Sequence, residues 1–132
     1  MSTGQAKAQQ GKFGMIGLGV MGRNLALNVE EHGFPVTVWN LETDWTEKFV
    51  GENKDKNFIG SKTLQEFVEA LERPRRIMMM IKAGDPVDLT IKAIKPFLER
   101  DDILIDGGNS WFKDTQRREA ELRAEGLNFF GS

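Results

Sequence analysis

The run Gly17-Leu18-Gly19-Val20-Met21-Gly22 carries glycines at its first, third and sixth positions. That spacing suits a backbone that turns sharply, passes close to a phosphate and then packs a helix against a strand. The run follows a short apolar segment, Lys12-Phe13-Gly14-Met15-Ile16, and opens a stretch of helical period. Free N–H groups and the positive end of that helix would then face an anion. Gly17 would permit the turn, Gly19 leave space for a pyrophosphate, and Gly22 allow close packing. A glycine-rich turn that holds no ligand is the competing reading.

Three further clusters could complete such a site. Asn40-Leu41-Glu42 stands roughly 20 residues on, where a dinucleotide fold reads the adenine ribose. A carboxylate there accepts hydrogen bonds from ribose hydroxyls and repels a 2′-phosphate, so Glu42 points to NAD, whereas an arginine would point to NADP. Glu42 can also be read as a solvated loop acid. Asp106-Gly107-Gly108-Asn109-Ser110 follows a later apolar run. Its glycines would let the backbone approach a ligand, and Asn109 offers a donor and an acceptor; a tight turn needing flexible residues is the alternative. Ile81-Lys82-Ala83-Gly84 falls at the corresponding place one strand earlier. On residue types alone, Lys82 reads as a solvated lysine.

The elements that would position these clusters alternate along the chain. Strands are expected at 12–17, 35–40, 58–59, 76–81, 102–106 and 127–130, the fourth a near-continuous apolar run of the kind buried on both faces. Helices are expected at 20–32, around 45–50, from Leu64 to Leu71 with Thr63 and Glu66 as a capping box, at 87–98 and at 115–125. Strand–helix alternation about six times over predicts an α/β, Rossmann-type doubly wound, mostly parallel sheet with helices on both faces. Residues 1–11 read as a disordered tail and 12–132 as one dinucleotide-binding domain.

Composition narrows the function classes. The chain has 132 residues, a net charge of -2, no cysteine and one histidine. Thiolate chemistry and disulfides are excluded, and a metal site is not expected. Balanced charge gives no basic face for nucleic acid. No apolar run approaches the roughly 20 residues that span a bilayer, so no membrane partner is expected and the cytoplasm is the default location. His32, beside Gly33, reads as a helix-end residue, and Met78-Met79-Met80 as core. Arg73, Arg75 and Arg76 flank a proline and are expected to stay solvated, while Trp39, Trp45 and Trp111 read as packing residues.

At these positions the sequence resembles 6-phosphogluconate dehydrogenase. The resemblance rests on Gly17 to Leu25, His32-Gly33-Phe34, Pro74-Arg75-Arg76-Ile77, Lys82-Ala83-Gly84, Asp106-Gly107-Gly108-Asn109-Ser110 and Asp114-Thr115 with Arg117-Arg118. Together the Pro-Arg-Arg-Ile and Asp-Gly-Gly-Asn-Ser segments separate it from the related 3-hydroxyisobutyrate dehydrogenases. The resemblance implies oxidative decarboxylation of 6-phosphogluconate to ribulose 5-phosphate with NADP, in a full-length homodimer of the pentose phosphate pathway. It implies cofactor contacts from Gly17, Leu18, Gly19, Val20, Met21 and Gly22, from Asn40, Leu41 and Glu42, and from Ile81, Lys82 and Ala83, with Asn109 between nicotinamide and substrate. Two departures stand out. The family has Asn-Arg and then Thr or Ser where this chain has Asn40-Leu41-Glu42, which keeps NAD open as the cofactor. The family also continues into a Gly-Val-Ser-Gly-Gly loop, a lysine base and a glutamate acid, so this chain carries no catalytic residue and is expected not to turn over alone. Another β-hydroxyacid dehydrogenase and a stand-alone, non-catalytic nucleotide-binding module are the alternatives.

Overall fold

The computed structural model describes residues 10–108 and 110–131. Strands β1 (Phe13–Ile16), β2 (Val36–Trp39), β3 (Phe58–Gly60), β4 (Arg76–Met79), β5 (Ile103–Asp106) and β6 (Asn128–Gly131) form one parallel sheet in the order β3-β2-β1-β4-β5-β6. They are joined by α1 (Val20–Glu31), α2 (Thr43–Glu52), α3 (Leu64–Glu69), α4 (Asp85–Ile94) and α5 (Phe112–Arg123). This is the doubly wound, Rossmann-type sheet that the alternation of elements predicts. Strand order reverses between β1 and β4, the switch point beyond whose carboxyl ends open α/β sheets hold their ligands.

Alternating side chains on each strand build two cores, one on each face. Met15, Val36 and Val38 pack with Leu18, Ala26 and Phe49 beneath α1 and α2. Ile16, Ile77, Met79 and Leu104 pack with Phe67, Val68, Val87 and Leu122 beneath α3, α4 and α5. The methionine run follows the same alternation, Met79 facing the second core while Met78 and Met80 pack against the first. It is core, as its apolar run suggests.

Local boundaries depart from the expected ones for identifiable reasons. The fourth helix begins at Asp85, with Pro86 in its first turn, and tightens into a 3-10 turn over Lys95–Phe97. Pro96 has no N–H to give the Lys92 carbonyl, so the α-helical ladder cannot continue to Leu98. The third helix stops at Glu69, and Leu71 instead forms a parallel bridge with Gly11. Gly11 is buried and bonded to Ala70 and Glu72, so packed backbone extends to a residue that the sequence reading assigned to the tail. The Thr63 hydroxyl accepts from the Glu66 N–H at 3.1 Å, and the Glu66 carboxylate accepts from the Lys62 N–H at 3.0 Å. The capping box is therefore closed one residue earlier than its usual reciprocal form.

Two expectations about side chains fail. Arg75 is buried rather than solvated. Its guanidinium lies 2.9 Å from Asp102, itself buried, and its Nε donates to the Val68 carbonyl at 3.0 Å. Asp102 also accepts from the Arg75 and Glu99 backbone N–H groups, each at 2.8 Å, so every carboxylate oxygen is engaged. Of the tryptophans, Trp39 packs against the core, but Trp45 and Trp111 are exposed. Both stand at helix starts on the carboxyl edge of the sheet.

Candidate functional site

The glycine run leaves β1 and enters α1 as the sequence requires. Gly17 has φ 102°, a left-handed conformation that glycine adopts without strain. A methyl group at Gly22 would run into the Gly17 carbonyl oxygen, so that glycine is demanded by the close approach of helix and turn. At Gly19 a methyl group would meet nothing within 4 Å, leaving its Cα face open. Gly19 is also the N-cap of α1, and no side chain among the described residues caps it. The first N–H groups of a helix have no intrahelical acceptor. Here they face outward beside the exposed Val20 and Met21. Those features fit a pyrophosphate.

Leu18 and Asn40 hold the loop in place. Leu18 is fully buried, and its N–H donates to Asn40 Oδ1 at 2.7 Å. The carboxamide nitrogen of Asn40 donates in turn to Glu42 Oε1 at 2.8 Å, and the Asn40 N–H donates to the Thr46 hydroxyl at 3.1 Å. One side chain thus ties the β1 turn to the start of α2. Both residues therefore also anchor the loop from within the protein. Leu41 is 78% exposed at the mouth, and Glu42, the N-cap of α2, presents its carboxylate beside it.

Across the switch point, Ile81, Lys82 and Ala83 follow β4, while Gly107 and Gly108 follow β5. With Gly19, Met21, Gly22 and Met80 they line a single cleft of ≈ 380 Å³ at the carboxyl edge. Three segments distant in the sequence therefore converge on one opening. Asn109 lies outside the described residues. The glycines after β5 have an internal reason as well: a methyl group at Gly107 would collide with the Met80 sulfur, and one at Gly108 would crowd the Ile81 carbonyl at 2.9 Å. They let the two loops lie against each other.

These two loops are joined by a residue that the matched segments include but to which the sequence assigns no role. Arg118, on α5, is 1% exposed. Its Nε and one terminal nitrogen donate to the Asp88 carboxylate at 2.9 and 3.1 Å. The same guanidinium reaches the Gly84 carbonyl at 3.3 Å and the Ser110 hydroxyl at 3.2 Å, and comes within 3.6 Å of Asp106. Asp106 also accepts from the Gly108 N–H at 3.0 Å and from the Ser110 hydroxyl. Hydrogen bonds from Arg118, outweighing burial and aided by Arg117, hold the Asp88 carboxyl below its ordinary pKa. The same pairing with Asp88 raises Arg118, against the opposing effect of burial. A legible signal existed: Arg118 stands four residues before buried Leu122, on the inward stripe of α5.

His32 needs no chemical role. It is the C-cap of α1, and its Nδ1 lies 2.8 Å from the Asn28 carbonyl, which can only accept.

The model of the NAD binding domain of 6-phosphogluconate dehydrogenase matches residues 12–132. The chain belongs to that family. Against the NADP(+)-dependent, decarboxylating 6-phosphogluconate dehydrogenase of Bacillus subtilis it is 53% identical over 121 residues, covering 92% of this chain and 26% of that one. The chain thus spans about a quarter of the length of the curated relatives it matches. Plasmodium falciparum 6-phosphogluconate dehydrogenase, solved with NADP+ and with 6-phosphogluconate, superposes with a TM-score of 0.83 at 37% identity over 89% of this chain and 26% of that one. Mycobacterium tuberculosis 3-hydroxyisobutyrate dehydrogenase superposes at 0.76 but is 16% identical over 92% of this chain and 39% of its own, which shows a shared fold and no more. In this 6-phosphogluconate dehydrogenase domain, the glycine loop and the segments after β4 and β5 line the cleft at the switch point.

Proposed function

We propose that this chain is the cofactor half of an NADP-dependent, decarboxylating 6-phosphogluconate dehydrogenase that serves the pentose phosphate pathway in the cytoplasm. The observation that carries the reading is the single cleft lined together by the glycine loop, Ile81-Lys82-Ala83 and Gly107-Gly108. The N–H groups from Gly19 to Gly22 hold the pyrophosphate, and Leu18 and Asn40 keep that loop in shape. Leu41 and Glu42 flank the adenine ribose at the end of β2. Ile81, Lys82 and Ala83 face the nicotinamide half, with Asn109 at the meeting point with 6-phosphogluconate. Held there, a nicotinamide would supply a hydride acceptor for oxidation of the substrate alcohol. The residues of this chain bind and orient; none of them is assigned as acid or base. The full-length enzyme is a homodimer. The named NADP dependence of the Bacillus relative supports NADP here. Glu42, standing where a 2′-phosphate would lie, favours the second reading, NAD.

Fluorescence titration of the chain with NADPH and with NADH tests the proposal. Exposed Trp45 flanks the adenosine side, and Trp111 the β5 side, so binding should quench tryptophan emission. Tighter NADPH binding is expected. Tighter NADH binding would transfer the cofactor assignment to NAD, and saturation by neither would sink the cleft as a dinucleotide site.

A further inference from the structure

The bonds made by Arg118 join parts of the molecule that β-sheet pairing leaves independent. The loop after β4 carries Lys82, Ala83 and Gly84, and the loop after β5 carries Gly107, Gly108 and Ser110. Sheet register ends at Met79 opposite Asp106, and past it the described backbone bonds from the two strand ends to the sheet are Met80 N–H to the Ile16 carbonyl at 2.8 Å and Gly107 N–H to the Met79 carbonyl at 2.9 Å. Arg118 spans that gap. It takes the Gly84 carbonyl from one side, the Ser110 hydroxyl and Asp106 from the other, and Asp88 from the first turn of α4. The guanidinium fork is rigid and planar, so its four hydrogen bonds to Asp88, Gly84 and Ser110 set the angle between the loops as well as their separation. The adenosine half of the cleft, around Asn40 and Glu42, has its own anchor and none of these bonds.

We infer that Arg118 is a positioning residue for the nicotinamide half of the cleft: it fixes the β4 and β5 loops against each other through Asp88, Gly84, Ser110 and Asp106, and leaves the adenosine half untouched. The inference rests on the reading of the cleft as a dinucleotide site. Preorganised loops bind without the ordering cost that free loops impose. Loosening them should therefore weaken ligands that reach across the cleft and spare those that stop at the adenosine.

The test uses the 132-residue chain with two ligands, NADPH and 2′,5′-ADP, the second ending before the nicotinamide. Two variants are compared, R118K and D88N. Lysine keeps the buried charge near Asp106 but cannot bridge all four partners. Asp88 is partly exposed, so its neutral isostere leaves the core intact. R118K is expected to weaken NADPH about tenfold and D88N about threefold, with 2′,5′-ADP changed less than about twofold. Amide exchange at Val87 and Gly108 should accelerate in both while exchange at Leu18 stays constant. If R118K does not fold, D88N alone decides. Equal losses for both ligands, or no loss of NADPH affinity in D88N, overturn the positioning role. A wild-type chain that binds neither ligand overturns the dinucleotide reading itself, and this inference with it.

Discussion

Arg118 and Asp106 approach to 3.6 Å with both side chains 1% exposed, yet the shorter contact of Arg118, at 2.9 Å, goes to the more open Asp88. The guanidinium is thus neutralised at depth by one carboxylate and gripped at the surface by another. Breaking a buried pair by removing one partner costs far more than the pair contributes, because a desolvated charge is left behind. That asymmetry shapes what can be asked of each residue.

Asp88 gives a pH signature. Its folded-state pKa lies below the ordinary 3.8, held there first by Arg118. Stability from this pairing is therefore fully present above the unfolded value and is lost as the pH falls below 3.8 through the folded one. Asp88 is 38% exposed, and solvent screening limits the effect to about 1 kcal/mol. D88N should melt below wild type at neutral pH and converge with it in strong acid. A gap of constant size down to about pH 2.5 would show that the carboxylate charge is not what stabilises.

Gly19 and Gly22 should separate binding from folding. The extended conformation of Gly19, φ -68° and ψ -175°, is open to alanine, and its added methyl meets no protein atom. G19A should cost about 1 kcal/mol of stability or less while weakening NADPH about tenfold through loss of close phosphate approach. G22A forces its methyl into the Gly17 carbonyl and should destabilise by about 1–3 kcal/mol. Unimpaired NADPH binding by folded G19A would mean that the phosphates do not pass there.

Cofactor choice should respond to the β2 end. An arginine in place of exposed Leu41, combined with removal of the Glu42 carboxylate, reverses the charge facing the ribose. The double variant L41R/E42T should raise the NADPH-to-NADH affinity ratio about tenfold or more, since charges about 4 Å apart near a surface interact by several kcal/mol. An unchanged ratio would place the discrimination elsewhere, with Arg23 and Lys48 in the neighbouring groove the next residues to vary.

Arg75 and Asp102 form a second buried pair among the described residues, and neither lines the cleft. R75M strands Asp102, and a cost of about 3–5 kcal/mol is expected in chemical denaturation. Cofactor affinity of the folded fraction should be unchanged. A variant as stable as wild type would show that Asp102 is satisfied by the backbone N–H groups of Arg75 and Glu99 alone.

Much of this molecule was decided by local chemistry. Apolar runs with period two, helical stretches between them and the glycines at 17, 19 and 22 specify the parallel sheet and its phosphate turn, because each signal depends on neighbours a few residues apart. The same holds for His32 as a helix end and for the methionines as core. Three matters waited for the tertiary structure. Leu18 and Asn40 stand 22 residues apart in sequence, and only folding joins the Leu18 N–H to the Asn40 carboxamide at 2.7 Å. Arg75 reads as a surface charge and Arg118 carries no role in sequence, yet each is buried against a carboxylate 27 or 30 residues away. Composition cannot reveal a buried charge, since burial is permitted only when a partner arrives from elsewhere in the chain. That pairing is a property of which loops the sheet order brings together, and the sheet order here reverses between β1 and β4.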